Sequence, residues 1–335
     1  MEHQTVVNSP SKSDAPRKQR MRWWQRVALA LAAVFVVLTG GLFYGAYGYQ
    51  PSEAGRDYKS KYLQDVPSSY VDTSVARFHY VQAGTGSPVI LLPPGTAWAI
   101  AWQQQLSALA AHHTVYVVDL PGQGYTTMNN ADFQWDLAGM AEALGSFMDA
   151  VHVDRAAIAG NSWSGGWALD FAQRHPERVT GLILLDSSGL VVEDSWQWKV
   201  LEYPVVGEIL TNLLTSKSTV RSSLEDSLVH RDLITDELVD ETWAPLTFRD
   251  NLRSTYQLQR GLDWRETERA MPATQTPTLV LWGREDNVLP VWQAERFGQL
   301  LPNVQVNVLD QCGHVLEYDC PDQVTDLMLA FLDGR

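Results

Sequence analysis

Ser162 lies in AGNSWSGG, residues 159–166, just after the apolar run AAIAG and just before the helix-like stretch SGGWALDFAQ. A serine on a tight turn between a strand and a helix is held out of the backbone, and the helix N-terminus favours negative charge developing beside it. The turn requires small residues on both sides. Gly160 meets this fully, and Ser164 stands where G-x-S-x-G would place its last glycine. An N-cap serine with no chemistry occupies the same kind of position. A nucleophilic serine also needs a histidine to take its proton and a carboxylate to orient the imidazole. Asp286 follows the run TPTLVLWG in REDNVLP, and His314 follows VQVNVLD in QCGHVLE. His314 is the only histidine after position 230. Such a set performs acyl transfer through a covalent intermediate. Ser164 is an alternative nucleophile, and Glu285 and Asp186 are alternative acids.

These residues need elements to carry them. Short β-branched runs occur at 76–82, 88–92, 114–120, 156–160, 179–186, 276–283 and 304–310. Several are apolar without alternation, as in strands buried on both faces of a parallel sheet. Helix-period stretches at 136–151, 164–176, 291–302 and 321–332 separate them. The alternation predicts a doubly wound α/β sheet, with the three candidate residues at carboxyl ends of strands, where such sheets bind ligands. From about 187 to 272 no convincing strand occurs. The segments 194–215, 235–246 and 251–264 read as helices, which together predict a helical cap.

The N-terminal region has another character. Residues 1–26 carry six basic residues (Lys12, Arg17, Lys18, Arg20, Arg22, Arg26) against Glu2 and Asp14. VALALAAVFVVLTGGLFYGAY, residues 27–47, is uncharged, and 21 residues suffice to cross a bilayer. Trp23 and Trp24 flank it before, and Tyr44, Tyr47 and Tyr49 toward its end, as interfacial rings do. The reading is a basic cytoplasmic tail (1–26), a transmembrane signal-anchor (27–49), a linker (50–70) and an extracytoplasmic domain (71–335). A cleaved signal peptide or a buried helix is the alternative, although the exit GAYGYQP is a poor cleavage site. The net charge of −14 over 335 residues excludes a basic nucleic-acid face. Neither a phosphate-cradling motif nor metal-ligand spacing is present, so no metal or organic cofactor is expected. Cys312 and Cys320 are the only cysteines; a disulfide and a free buried pair are both compatible with them.

Four segments together resemble the cap-bearing α/β-hydrolase superfamily, in particular its esterase, lipase and C–C-bond hydrolase members: VILLPPGTAW; VVDLPGQGYT; AGNSWSGGWALDFAQRHPERVTGLILLD; and LVLWGREDNVLP followed by CGHVLEYDCPDQV. The resemblance covers residues 71–335. It implies that Ser162 attacks the carbonyl, His314 serves as base and then acid, and Asp286 orients His314. It implies an oxyanion hole from the backbone N–H groups of Thr96 and Trp163. Serine at the elbow, where some relatives carry aspartate, favours acyl chemistry over halide or epoxide opening. Three positions depart from the pattern. Pro94 replaces the usual histidine and puts the shape of the oxyanion loop in question. Ser164 replaces glycine, which could strain the turn or add a hydroxyl near the oxyanion. Gln123 replaces a frequent histidine, with little consequence expected.

Asp119 reads as a brace for the turn PGQG, and Asp186 as a hydrogen-bonding residue at the start of the cap. His79, His112, His113 and His175 have no partner in the pattern and read as surface or packing residues. Trp98 and Trp102, with Trp163 and the cap tryptophans, are expected to line an apolar substrate pocket; core packing is the other use for such rings. The functional expectation is a membrane-anchored serine hydrolase for a small apolar acyl ester. The same triad acting on C–C or amide bonds or in perhydrolysis is one alternative; a ligand-binding protein that has lost catalysis is the other.

Overall fold

A computed structural model describes residues 21–49, 53–193 and 196–334. The basic residues Lys12, Arg17, Lys18 and Arg20 lie outside the described residues, as do 50–52 of the stretch read as a linker. Helix α1 (Trp23–Phe43) is long and apolar enough to cross a membrane, and none of its residues is buried. It forms a unit separate from the domain that begins at Gly45.

Within the domain the strands are β1 (Ser68–Asp72), β2 (Ala76–Ala83), β3 (Ser87–Leu92), β4 (His113–Val118), β5 (Thr127–Met128), β6 (Ala156–Asn161), β7 (Val179–Leu185), β8 (Thr278–Gly283) and β9 (Val304–Leu309). Among the described residues they form one sheet in the order β1-β2-β4-β3-β6-β7-β8-β9, with β5 paired to β2. From β4 to β9 every pairing is parallel, whereas β2 runs antiparallel to its neighbours. The helices are α2 (Tyr62–Asp65), α3 (Gln103–Ala110), α4 (Leu137–Ala150), α5 (Trp163–Arg174), α6 (Trp196–Lys199), α7 (Val206–Leu214), α8 (Lys217–Ser227), α9 (Asp236–Leu246), α10 (Arg249–Gly261), α11 (Arg265–Ala270), α12 (Trp292–Leu300), α13 (Leu316–Asp319) and α14 (Pro321–Asp333).

The apolar runs of the central strands follow from burial on both faces. Ile90, Leu92, Leu182 and Leu184 join Phe147, Trp167, Phe171 and Phe297 in one core. Their neighbours Val89, Leu91, Ile183 and Leu185 join Leu109, Met328 and Phe331 in the other. Helices therefore cover the sheet on both sides, α4, α5 and α12 against α3 and α14. Helices α6–α11 occupy the insertion between β7 and β8. Part of the predicted linker is bound: the carboxylate of Glu241 on α9 accepts from the N–H groups of Lys61 and Tyr62 at 2.7 and 3.3 Å, and Tyr62 is buried.

Chain order places a topological switch between β3 and β6, since β4 lies to one side of that pair and β7, β8 and β9 to the other. A crevice opens at such a point beyond the strand ends. One wall is the loop after β3 and the other is the turn after β6. The Asp119 carboxylate braces the first wall. Fully buried, it accepts from Ala99 N at 2.7 Å and Tyr125 N at 3.1 Å, and pairs with His79 Nδ1 at 2.7 Å. His79 is thus no surface residue, and its Nε2 lies 2.7 Å from Ser68 Oγ. Asp119→Ala would leave several buried donors without an acceptor. It is expected to lower the unfolding free energy by roughly 3–5 kcal/mol in a denaturant titration.

Candidate active site

Ser162 joins β6 to α5 with φ +57° and ψ −128°, a conformation that non-glycine residues rarely adopt. Its backbone is held on both sides: Ser162 N donates to Leu185 O at 3.0 Å, and Ser162 O accepts from Ser188 N at 3.0 Å. A Cβ at position 160 would lie 2.5 Å from Ser164 O, so glycine is required there. Position 164 tolerates serine because the side chain points away from the turn. Ser164 is fully buried and donates its hydroxyl to Pro93 O, which sets it apart from the partly exposed Ser162.

Gln123, expected to matter little, has a central place. Its amide Nε2 lies 3.0, 2.9 and 3.2 Å from the carbonyls of Pro93, Pro94 and Gly95, while its Oε1 accepts from Leu120 N at 2.9 Å. Gln123 and Ser164 thus gather the carbonyls of the loop after β3. Gly95 brings that loop against the Trp163 ring; a Cβ there would sit 2.6 Å from the ring. Pro94 fits within a turn closed by Ala97 N donating to Pro94 O at 2.9 Å, with Gly95 and Thr96 inside the turn.

The carboxylate of Asp286 meets His314 Nδ1 at 2.8 Å, with both residues buried. Its other oxygen accepts from Val288 N and Leu289 N at 2.6 and 2.8 Å, which fixes its orientation. Asn161, beside the serine, donates from Nδ2 to His314 O at 2.9 Å and Leu185 O at 3.1 Å, linking the serine turn to the histidine loop. Asn161 was not singled out in the sequence. Its adjacency to Ser162 was the one available signal.

The alternative acids are engaged elsewhere. Glu285 accepts from Cys312 N at 3.1 Å. Asp186 accepts from Gly283 N on β8 at 2.7 Å and is fully buried, so its role is to tie β7 to β8. Burial first, and the charge of Asp286 second, hold its carboxyl well above the usual range.

Trp98 and Trp102 do not line an open pocket. Both are fully buried, and Trp98 packs edge-on to Tyr62 and Tyr125 while donating to Glu241 O at 2.9 Å. Trp98 thereby anchors the loop after β3 to α9 of the cap, and Trp102 is part of the core beneath that loop. The rings beside the serine are Trp163, with Trp198 of α6 at 5.4 Å between centroids, and Trp264, which packs over Gly166.

The histidine loop is fastened to its own helix and to the cap. Cys312 and Cys320 form a disulfide around it. The Asp319 carboxylate accepts from Gly313 N at 2.6 Å and from Val229 N and His230 N at 2.9 Å each, and His314 N donates to Ser227 O at 2.8 Å. His230, Asp319 and Cys320 converge, but the Cys320 sulfur is bonded to Cys312 and Asp319 is engaged by these donors. In α13, Glu317 is fully buried with neither carboxylate oxygen hydrogen-bonded, and burial pushes its pKa up to about 8.

The chain matches the family model described as alpha/beta hydrolase fold over residues 87–319 and belongs to that family. It is 31% identical over 268 residues to a 2-hydroxy-6-oxononadienedioate/2-hydroxy-6-oxononatrienedioate hydrolase of Comamonas testosteroni, covering 76% of this chain and 91% of that protein. It is 30% identical, with the same coverage, to a 2-hydroxy-6-oxo-6-phenylhexa-2,4-dienoate hydrolase of Burkholderia cepacia. Among solved structures it is similar to a bacterial membrane phospholipase A, with TM-score 0.70, 26% identity and coverage of 92% of this chain and 98% of that one. A carboxylesterase of Bacillus subtilis shares the fold, with TM-score 0.71, 22% identity and coverage of 82% and 95%.

Two predictions follow from the histidine loop. Folded Glu317 holds a proton up to about pH 8, whereas the unfolded chain releases it near 4.3. The folded state therefore binds more protons between those values, and stability falls as pH rises through that window. Glu317→Gln removes the effect, so its stability advantage over the wild type should grow by about 3 kcal/mol from pH 5 to pH 8 in urea titrations. The disulfide closes a short loop, and reduction should cost about 2–3 kcal/mol of stability by the chain-entropy account. Thermal unfolding with and without dithiothreitol measures this.

Proposed function

We propose that this hydrolase is a serine enzyme in which Ser162 is the nucleophile, His314 the general base and then acid, and Asp286 the residue that orients His314. The observation that carries the reading is the pairing of His314 Nδ1 with the oriented Asp286 carboxylate at 2.8 Å, in a loop that Asn161 ties to the strained Ser162 turn. With its Nδ1–H donating to the Asp286 carboxylate, the imidazole offers its free Nε2 to take the serine proton. The oxygen of Ser162 attacks the carbonyl carbon, and the resulting oxyanion lies in the crevice between the two walls. Its donors are the N–H of Trp163, first in α5 and without need of an intrahelical acceptor, and that of Thr96. Collapse expels the alcohol with the proton from His314, and water then repeats the sequence on the acyl-enzyme. Each oxyanion donor is worth about 10²–10³ in rate.

The substrate we assign is a small apolar acyl ester, bound against Trp163, Trp198 and Trp264. The chain is anchored through residues 27–49, with the hydrolase domain on the extracytoplasmic side. Support comes from the basic residues that precede the span and from the disulfide, which suits an oxidising compartment. The likeness to the membrane phospholipase adds to this, since its 92% coverage leaves too few residues unmatched to omit all of the N-terminal 49. The curated relatives favour a second reading, C–C-bond hydrolysis by the same triad.

A fluorophosphonate should label the wild type and Ser164→Ala but not Ser162→Ala; loss of label only in Ser164→Ala would move the nucleophile. Asp286→Asn should lower kcat by about 10⁴, while Asp186→Asn, at a carboxyl that burial pushes toward the neutral form, should stay within about tenfold. Turnover of acyl esters in a panel that includes vinylogous diketones supports the ester reading. Turnover of the diketones alone supports C–C hydrolysis.

A further inference from the structure

Helix α7 is inverted. Its buried positions are Gly207, Glu208 and Thr211, and both of the buried side chains are polar. Glu208 makes a two-point ion pair with Arg260 of α10, with both N–O distances 2.8 Å. Val206, Leu213 and Leu214, spaced seven and eight residues apart, form the exposed stripe at 43%, 65% and 53%. Tyr203, just before the helix, is 64% exposed. A helix on a water-facing cap carries its polar residues outward. This one carries Glu208 and Thr211 inward and turns Val206, Leu213 and Leu214 out, with Ile209 and Leu210 half-buried, the pattern of a helix whose outer medium is apolar.

The chain specifies that medium. Asn212 of α7 donates from Nδ2 to Gly45 O at 3.2 Å, and a Cβ on Gly45 would touch Ile209 of the same helix at 3.6 Å. Gly45 belongs to the same unit as α7 and lies within the apolar stretch 27–49, whose helical turns run on to Gly48, so α7 touches the last residues of that stretch. We propose that the outer face of α7, with Val206, Leu213 and Leu214, lies in the interfacial layer of the bilayer. The membrane anchor would then seat the cap on the lipid surface as well as tether the domain. The proposal rests on the reading of residues 27–49 as a span and goes beyond it by assigning a second, peripheral contact with lipid.

The test uses the full-length protein in vesicles of phosphatidylethanolamine and phosphatidylglycerol. Both native cysteines are disulfide-bonded, so a nitroxide placed without reductant attaches at one introduced cysteine: Leu213→Cys on α7, Val36→Cys in α1, or Gln299→Cys on the exposed face of α12. Collision rates with oxygen and with a water-soluble nickel chelate give the depth of each label. The proposal expects Leu213→Cys to favour oxygen over nickel several-fold more than Gln299→Cys, at a depth of about 5–10 Å, with Val36→Cys deeper. Leu213→Cys as wet as Gln299→Cys while Val36→Cys lies in lipid would overturn this proposal and leave the anchor standing. A wet Val36→Cys would overturn both. A label at Leu213→Cys shielded from both agents, with spin broadening that disappears on dilution with unlabelled chain, would overturn it in favour of a contact between two copies.

Discussion

The conformation of residue 162 is the constraint around which the site is built. A serine at φ +57° is held there at a cost of order 1–3 kcal/mol by its surroundings. Those surroundings are the carbonyl of Leu185, the N–H of Ser188, and the absence of a side chain at Gly160. The first two depend on the parallel register of β6 beside β7, and the third on the close approach of Ser164 O. The strain is thus supported by the centre of the sheet, where both faces are closed by apolar side chains. A turn of this kind at the sheet's edge would have no such support.

The crevice next to that turn is assembled from polar side chains that substitute for one another. Gln123 and Ser164 both reach the carbonyls of the loop after β3, and Asp119 holds the next part of the same loop through Ala99 N. Two departures from the family pattern, glutamine at 123 and serine at 164, therefore act on the same few carbonyl groups. The hydroxyl of Ser164 gives a hydrogen bond where glycine would give none, and glutamine spans the distance with a flexible amide. Apolar rings at Trp98 and Trp102 complete the wall from behind.

The cap is joined to the chemistry at its other end. Asp319 collects N–H groups from both the histidine loop and the segment after α8, and His314 N bonds directly to Ser227 O. Val315 and Tyr318 of the same loop pack into the cap's own small core of Val220, Leu228, Ile234 and Val239. Motion of the cap relative to the sheet would therefore be felt at His314, while the disulfide and Asp319 keep the loop's shape. Asp186 and Glu317, both pushed toward the neutral form by burial, limit the negative charge behind Asp286.

Much of this architecture was legible in the chain because its signals are local. Short β-branched runs marked β2, β3, β4 and β6–β9, and several of them lack polar alternation because strands buried on both faces need none. The exposed and very short β1 and β5 gave no such signal. The serine, acid and histidine stood out because each follows a strand directly. What Gln123, Asn161, Asp319 and Glu317 do was not legible, because the first three reach groups 24 to 153 positions away and the Glu317 carboxylate has no hydrogen-bond partner among the described residues. Trp98 and Trp102 read equally well as pocket or core, and only burial in the tertiary structure resolved them, Trp98 against Tyr62, Tyr125 and α9. By itself the sequence determined the order of elements and the chemical groups at their ends, which depend on neighbours within a few residues. The tertiary structure alone decided which carboxylate meets His314, that the cysteines are joined, and that α7 turns its leucines outward, because each depends on groups brought together from distant parts of the chain.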